Sequence, residues 1–181
     1  MLTAVFIDGG YLDRGSRGEH RLDYNRLANM LAGEERLLQT YYYNCLPFDF
    51  KTPAPDQEKF YKMRMQFYDN LKRHPKLTCK FGYLVYRGRD TDGKPILVQK
   101  KVDVMLAVDM ITMAARRILH SIKLLSGDSD LSPAIQETRQ FGIRVDLFTF
   151  EALTYAGELA SECDTHTILT PEMMGELSNN N

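Results

Sequence analysis

Two rhythms of hydrophobic positions alternate along the chain. Short, nearly continuous apolar runs at 2–7, 37–46, 77–86, 122–125 and 143–148 have the length and the β-branched or aromatic content of strands buried on both faces. Between them apolar residues recur at steps of three and four. Leu22, Leu27, Met30 and Leu31 do so before Gly33, and Phe60, Met63, Phe67 and Leu71 within 56–72. Ser132 as N-cap and Pro133 at the first helical position open a third helix that runs to Gly142. The stretch 102–119 is apolar almost all round, which predicts a helix buried against the sheet and a second surface. A further helix is expected over 151–163, then a short strand at 167–169. Gly9-Gly10 reads as a tight loop after the first strand. The Asp-Gly pair in TDGK at 91–94 predicts a hairpin into 96–99, a small antiparallel flap.

Strands alternating with helices predict an α/β fold, a mostly parallel central sheet in a three-layer α/β/α sandwich. One domain over 1–170 is expected, with 171–181 as a flexible tail. A chain of 181 residues buries about two thirds of the surface it exposes when unfolded, enough for one self-sufficient core.

Composition narrows the function. A formal net charge of −1 and a pI near 6.4 exclude a broad positive surface, so nucleic-acid contact must come from local basic patches. Cys45, Cys79 and Cys163 are widely spaced and form no CxxC pair, which supports neither a disulfide framework nor zinc. Cys163 with His166 is a lone C-x-x-H pair, short of the ligands zinc needs. No membrane span or secretion signal is visible, and the expected compartment is the cytoplasm.

The candidate chemistry is acidic. Asp8 ends the first strand, Asp103 opens the apolar helix, and Asp128 and Asp130 follow the strand at 122–125. In open α/β sheets ligands bind beyond the carboxyl ends of the strands, where strand order reverses, so these residues can converge there. Ionised carboxylates that close repel, and a hard dication relieves the repulsion. Oxygen ligands without clustered His or Cys select Mg²⁺ or Mn²⁺, and such ions suit phosphodiester hydrolysis. Each aspartate has an ordinary alternative as a cap or turn residue. Asp109 interrupts a buried run and needs either a cation or an ion pair, with Arg116 or Arg117 as the expected partner.

FIDGGYL, KKVDVMLAVDM and LLSGDSDLSPAI, in that order, resemble the motifs of NYN domains, specifically the LabA-like branch of the PIN-like ribonuclease superfamily. The resemblance spans almost the whole chain, including GIRVDLF and ELASECDTHTIL near its end. It implies a PIN-like sandwich and a metal-dependent endoribonuclease. Asp8, Asp103, Asp128 and Asp130 fall on the family's ligand positions, and Asp109 matches a further acidic position that would serve as an outer ligand. The chain departs at Tyr11, where many members carry Asn.

The leading expectation is therefore a Mg²⁺- or Mn²⁺-dependent ribonuclease acting on single-stranded or structured RNA. Asp8, Asp103, Asp128 and Asp130 would hold the metal, with Ser126 and Ser129 orienting ligands or phosphate. Arg14, Arg17, His20 and Arg21 form one basic loop, and Arg87, Arg89, Lys94, Lys100 and Lys101 a second cluster able to contact the backbone. Tyr41, Tyr42 and Tyr43 are expected to pack on both faces of their strand rather than stack on bases. Lys59, Lys62, Arg64, Lys72 and Arg73 are read as the solvated side of their helix. The alternative is a non-catalytic RNA-binding or regulatory protein on the same fold. An adhesion-type D-x-S-x-S site is disfavoured by Asp130 in its third position, and dehalogenase-type phosphotransfer by Gly10. The apolar helix also makes a homodimer an expectation.

Overall fold

The computed structural model describes residues 1–16, 22–155 and 157–177. Arg17, His20 and Arg21 of the expected basic loop lie outside them. Seven strands form one sheet: β1 (Leu2–Asp8), β2 (Arg36–Cys45), β3 (Leu77–Arg89), β4 (Pro95–Lys100), β5 (Ser121–Leu125), β6 (Arg144–Phe150) and β7 (Thr165–Leu169). Their order is β4-β3-β2-β1-β5-β6-β7, parallel throughout except for the antiparallel β3–β4 pair. The α/β sandwich expected from the sequence is the fold observed.

Side-chain alternation sends each strand's apolar residues into two cores. Ala4, Phe6, Ile122, Leu124, Val145 and Leu147 face α4 (Val102–Ala115), α5 (Ser132–Gln140) and α6 (Gly157–Ser161). Val5, Ile7 and Leu125 face α1 (Gly9–Gly15), α2 (Tyr24–Ala32), α3 (Pro55–Leu71) and α7 (Pro171–Gly175). The three tyrosines of β2 follow the same rule. Tyr43 enters the first core, Tyr42 the second, and the half-buried Tyr41 stacks on Phe6 with centroids 5.0 Å apart.

Five sequence expectations give way. Gly9-Gly10 is not a loop but the start of α1, because the Asp8 carboxylate accepts the Tyr11 N–H and caps the helix at once. Ser132 is not an N-cap: Asp128 caps a single 3-10 turn over Ser129–Leu131, and α5 continues from it. The helix expected over 151–163 contracts to α6: the β6–β7 ladder runs on to a bond from the Glu151 N–H to the Leu169 carbonyl, and 151–153 then form a turn. The tail expected from 171 is packed through Leu177, with Met174 and Leu177 buried and the Leu177 carbonyl accepting the Asp23 N–H. Finally, α4 is not covered all round, for Val104 and Val108 stand open to solvent.

The hairpin is longer than expected. β3 continues past its pairing with β2, which ends at Gly82, and runs on with β4 as a two-stranded arm to the turn at 90–94. Asp90 closes that turn by accepting the Asp92 and Lys94 N–H groups. No helix among the described residues is long and apolar enough to cross a membrane.

Candidate metal-binding cleft

β1 lies between β2 and β5, the point where connections diverge to opposite sides of the sheet. Ile7 and Leu125 are register partners, so Asp8 and the loop at 126–130 leave the sheet side by side. β4 returns antiparallel along β3 and delivers the start of α4, with Asp103 in its first turn, to the same edge. Asp8, Asp103 and Asp128 thus line one cleft of about 560 Å³, together with Gly10, Arg14 and Gln99.

Local bonds set the geometry. Asp8 Oδ1 accepts the Tyr11 N–H at 3.0 Å, and its Oδ2 accepts from the Ser126 hydroxyl at 3.3 Å. The same hydroxyl oxygen accepts the Asp128 N–H at 3.2 Å, so the buried Ser126 ties the two carboxylate-bearing segments together. Asp128 Oδ1 accepts the Asp130 N–H at 3.0 Å. Asp130 and Ser129 sit exposed on the 3-10 turn at the rim.

Electrostatics record the convergence. Burial raises the Asp8 carboxyl above its ordinary range; the Tyr11 N–H and Arg14 oppose this, and Asp103 reinforces it. Asp103 is raised by desolvation and then by the charges of Asp128 and Asp130. Carboxylates from three separate stretches therefore sense one another, and all the oxygen donors are hard. Among the described residues no three His, Cys, Asp or Glu side chains close into a ligand shell. The three carboxylates line the cleft without closing into a ligand shell.

Two walls were not read from the sequence. Tyr11, in place of Asn, is buried, and its hydroxyl accepts the Phe150 N–H at 3.1 Å while its ring packs on Phe150. Burial raises the phenol further. Gly127 lies against that ring so closely that a Cβ would come within 2.6 Å of it. Gln99, from β4, lines the cleft together with Leu153 and Thr154.

Asp109 is not among the residues that line the cleft. Its carboxylate is held away from the cleft by Lys80, at 2.7 Å, and by the buried Tyr43 hydroxyl, at 2.6 Å. The partner is thus a lysine from β3 and not Arg116 or Arg117, a pairing that sequence distance hides. Lys101 is drawn over the Tyr83 ring at 5.2 Å, and Lys100 is exposed beside it at the base of the arm. Arg64 is not on a solvated face either: it pairs with Asp13 at 2.7 Å between α3 and α1. Cys163 and His166 are engaged separately, with the Leu159 carbonyl and Thr149.

The NYN domain family model matches residues 2–170. This chain belongs to the NYN domain family. NYN domains are part of the PIN-like nuclease superfamily, in which divalent metals are usual. The NYN chain is similar to uncharacterized protein y4oD of Sinorhizobium fredii (strain NBRC 101917 / NGR234), 39% identical over 49 residues. That match covers 27% of this chain and 23% of the relative, so the chain spans less than a quarter of that protein's length. In three dimensions it is similar to VPA0982 of Vibrio parahaemolyticus RIMD 2210633, a protein of unknown function, with a TM-score of 0.57 and 18% identity over 93% of this chain and 92% of that one. This likeness concerns the fold.

Proposed function

We propose that this NYN domain is a Mg²⁺- or Mn²⁺-dependent ribonuclease that hydrolyses RNA phosphodiester bonds in the carboxylate cleft. The observation that carries the reading is the convergence of Asp8, Asp103 and Asp128 on one cleft, with the Asp8 and Asp103 carboxyls raised by burial and by like charge. Charges arranged at that cost are a signature of functional sites. The donor set fits a hard dication that keeps part of its water shell and takes one or two carboxylates directly. When bound, the ion supplies an acidified water as nucleophile and offsets charge on the phosphoryl oxygens.

The remaining roles belong to the chain. Asp8, Asp103, Asp128 and Asp130 would hold the ion, directly or through its water shell. Ser126 fixes the Asp8 carboxylate relative to the Asp128 backbone, while Ser129 is free to meet a phosphate. Arg14 lines the cleft and offers its guanidinium to a phosphate oxygen. Lys100 and Lys101 steady the backbone on the arm side; Arg17, which lies outside the described residues, is kept with Arg14 as a phosphate-binding arginine on the strength of the sequence.

The test is manganese-dependent cleavage of RNA by the parent, Asp8→Asn and Asp128→Asn. Both variants are expected to lose activity while Tm changes little, because Asn replaces Asp as a cap at little cost. Cleavage by either at the parental rate overturns the reading. A second reading, RNA binding without catalysis, is favoured by Tyr11, whose hydroxyl is committed to Phe150 and leaves no amide at that wall. RNA retained without turnover at saturating manganese, equally by the parent and Asp128→Asn, would select it.

A further inference from the structure

A second cavity, of about 330 Å³, opens beside the cleft, between α3 and the root of the β3–β4 arm, and Gln99 lines both. Its walls are aromatic. Phe60 is 53% exposed at the mouth, an uncommon state for a large apolar ring, and Phe67 and Tyr68 continue the wall inward. Between them lies a polar floor. Arg64 Nη2 donates to Asp13 Oδ2 at 2.7 Å and to the Tyr68 hydroxyl at 2.6 Å, and the Arg64 guanidinium lies 4.9 Å from the Tyr68 ring centroid and 5.3 Å from that of Phe67. Asn44, anchored to Tyr42 at 2.8 Å, also donates to Asp13 Oδ2. Every one of these bonds to Asp13 falls on Oδ2; Oδ1 has no partner among the described residues, and Asp13 is one of the residues that line the cavity.

An apolar ligand would not require the Asp13–Arg64 pair, and a bare phosphate would be repelled by Asp13 and gain nothing from the aromatic walls. A planar heterocycle with donors and acceptors along one edge satisfies both the faces and the floor. That is the chemistry by which unpaired bases of single-stranded RNA are recognised, stacked on rings and hydrogen-bonded at their edges. The cavity also continues outward past Phe60 and Leu84 to a groove lined by Phe48 and Phe50. We propose that this cavity is a nucleobase subsite. It holds an unstacked base next to the phosphate in the carboxylate cleft, with a base amino group donating to Asp13 and the ring stacked on Phe60, so that the domain selects single-stranded over duplex RNA. The inference rests on the ribonuclease reading for its substrate, but its test does not depend on turnover.

The experiment is a binding titration with Asp128→Asn, which is not expected to cleave. The ligands are a labelled single-stranded oligoribonucleotide, the same strand with its bases removed, and the corresponding duplex. The intact single strand is expected to bind tighter than either of the others. Adding Phe60→Ala should weaken it by about 5- to 150-fold, the loss of one base–aromatic stack, with no change for the abasic strand. Phe60 is exposed, so its circular dichroism and Tm should match the parent. Adding Asp13→Asn, which exchanges an acceptor for an amide, should change which base is preferred. Equal binding of intact and abasic strands, equal binding of duplex, or a Phe60→Ala variant as tight as its parent overturns the subsite. Absence of manganese-dependent RNA cleavage by the parent overturns the catalytic reading and leaves the outcome of this titration standing.

Discussion

Asp8 has two duties that separate on substitution. It caps α1 through the Tyr11 N–H, and it presents its carboxylate to the cleft. Asp8→Asn should keep the cap and lose the charge, whereas Asp8→Ala should lose both and cost about 1 kcal/mol in addition. Denaturant titration of the two beside an RNA-cleavage assay separates the duties; equal stability of Asn and Ala variants would refute the capping role. Gly127 is sterically bound to the opposite wall. A methyl group there meets the Tyr11 ring, which is pinned by Phe150, so Gly127→Ala must displace the loop that carries Asp128. Cleavage by Gly127→Ala is expected to fall at least tenfold, since small misplacements of an aligned group are costly, and Gly127→Ala with Tyr11→Asn should recover part of it by opening the wall. A Gly127→Ala variant indistinguishable from the parent in that assay would show that the loop accommodates the methyl group. The four aspartates were legible because each follows or precedes an apolar run. Tyr11 as a wall was not, since its contact is with Phe150, 139 residues away.

Elements were legible where periodicity was strong. The strands and α2, α3 and α5 fall within a few residues of their expected ends. What misled was local punctuation: two glycines concealed a helix start because one capping carboxylate outweighs them. On α3 the sequence did hold a sign of the second cavity. Arg64 sits at helical spacing between Phe60 and Phe67/Tyr68, on the apolar stripe and not opposite it. On α4 the spacing misassigned Asp109, because its partners Lys80 and Tyr43 come from the sheet. Asp109→Ala should leave the buried Tyr43 hydroxyl without its acceptor and cost about 1–3 kcal/mol, while RNA cleavage per folded molecule stays parental. Lost activity at full folding would return Asp109 to the catalytic set.

Across the whole molecule the sheet carries opposite electrostatic arrangements at its two ends. At the amino ends of β5 and β6, the buried Lys123 bonds Glu35 at 2.8 Å and Asp146 at 2.6 Å, and Arg144 joins the same two carboxylates. Burial alone would raise Asp146 and Glu35, but the hydrogen bonds from Lys123 and its neighbours outweigh it and hold both below the ordinary carboxylate range. At the carboxyl ends Asp8 and Asp103 are raised. The consequences for stability have opposite signs. The depressed pair contributes stability above the unfolded pKa of about 4, and this is lost as pH falls through the folded values. The raised pair binds protons more tightly when folded, so its contribution declines as pH rises from about 4 and stays low at neutrality unless a cation takes the protons' place. Lys123→Met should therefore lower stability by about 1–3 kcal/mol at pH 7 by leaving the two buried carboxylates to Arg144 and their hydroxyl donors, with the deficit narrowing as pH falls toward about 4 and they protonate. Manganese should raise Tm more at pH 7 than at pH about 4.5, and Asp8→Asn should shrink that difference. An ion-induced rise equal at both pH values, or undiminished in Asp8→Asn, would mean that the cation binds elsewhere than among the carboxylates that β1, β5 and α4 bring together.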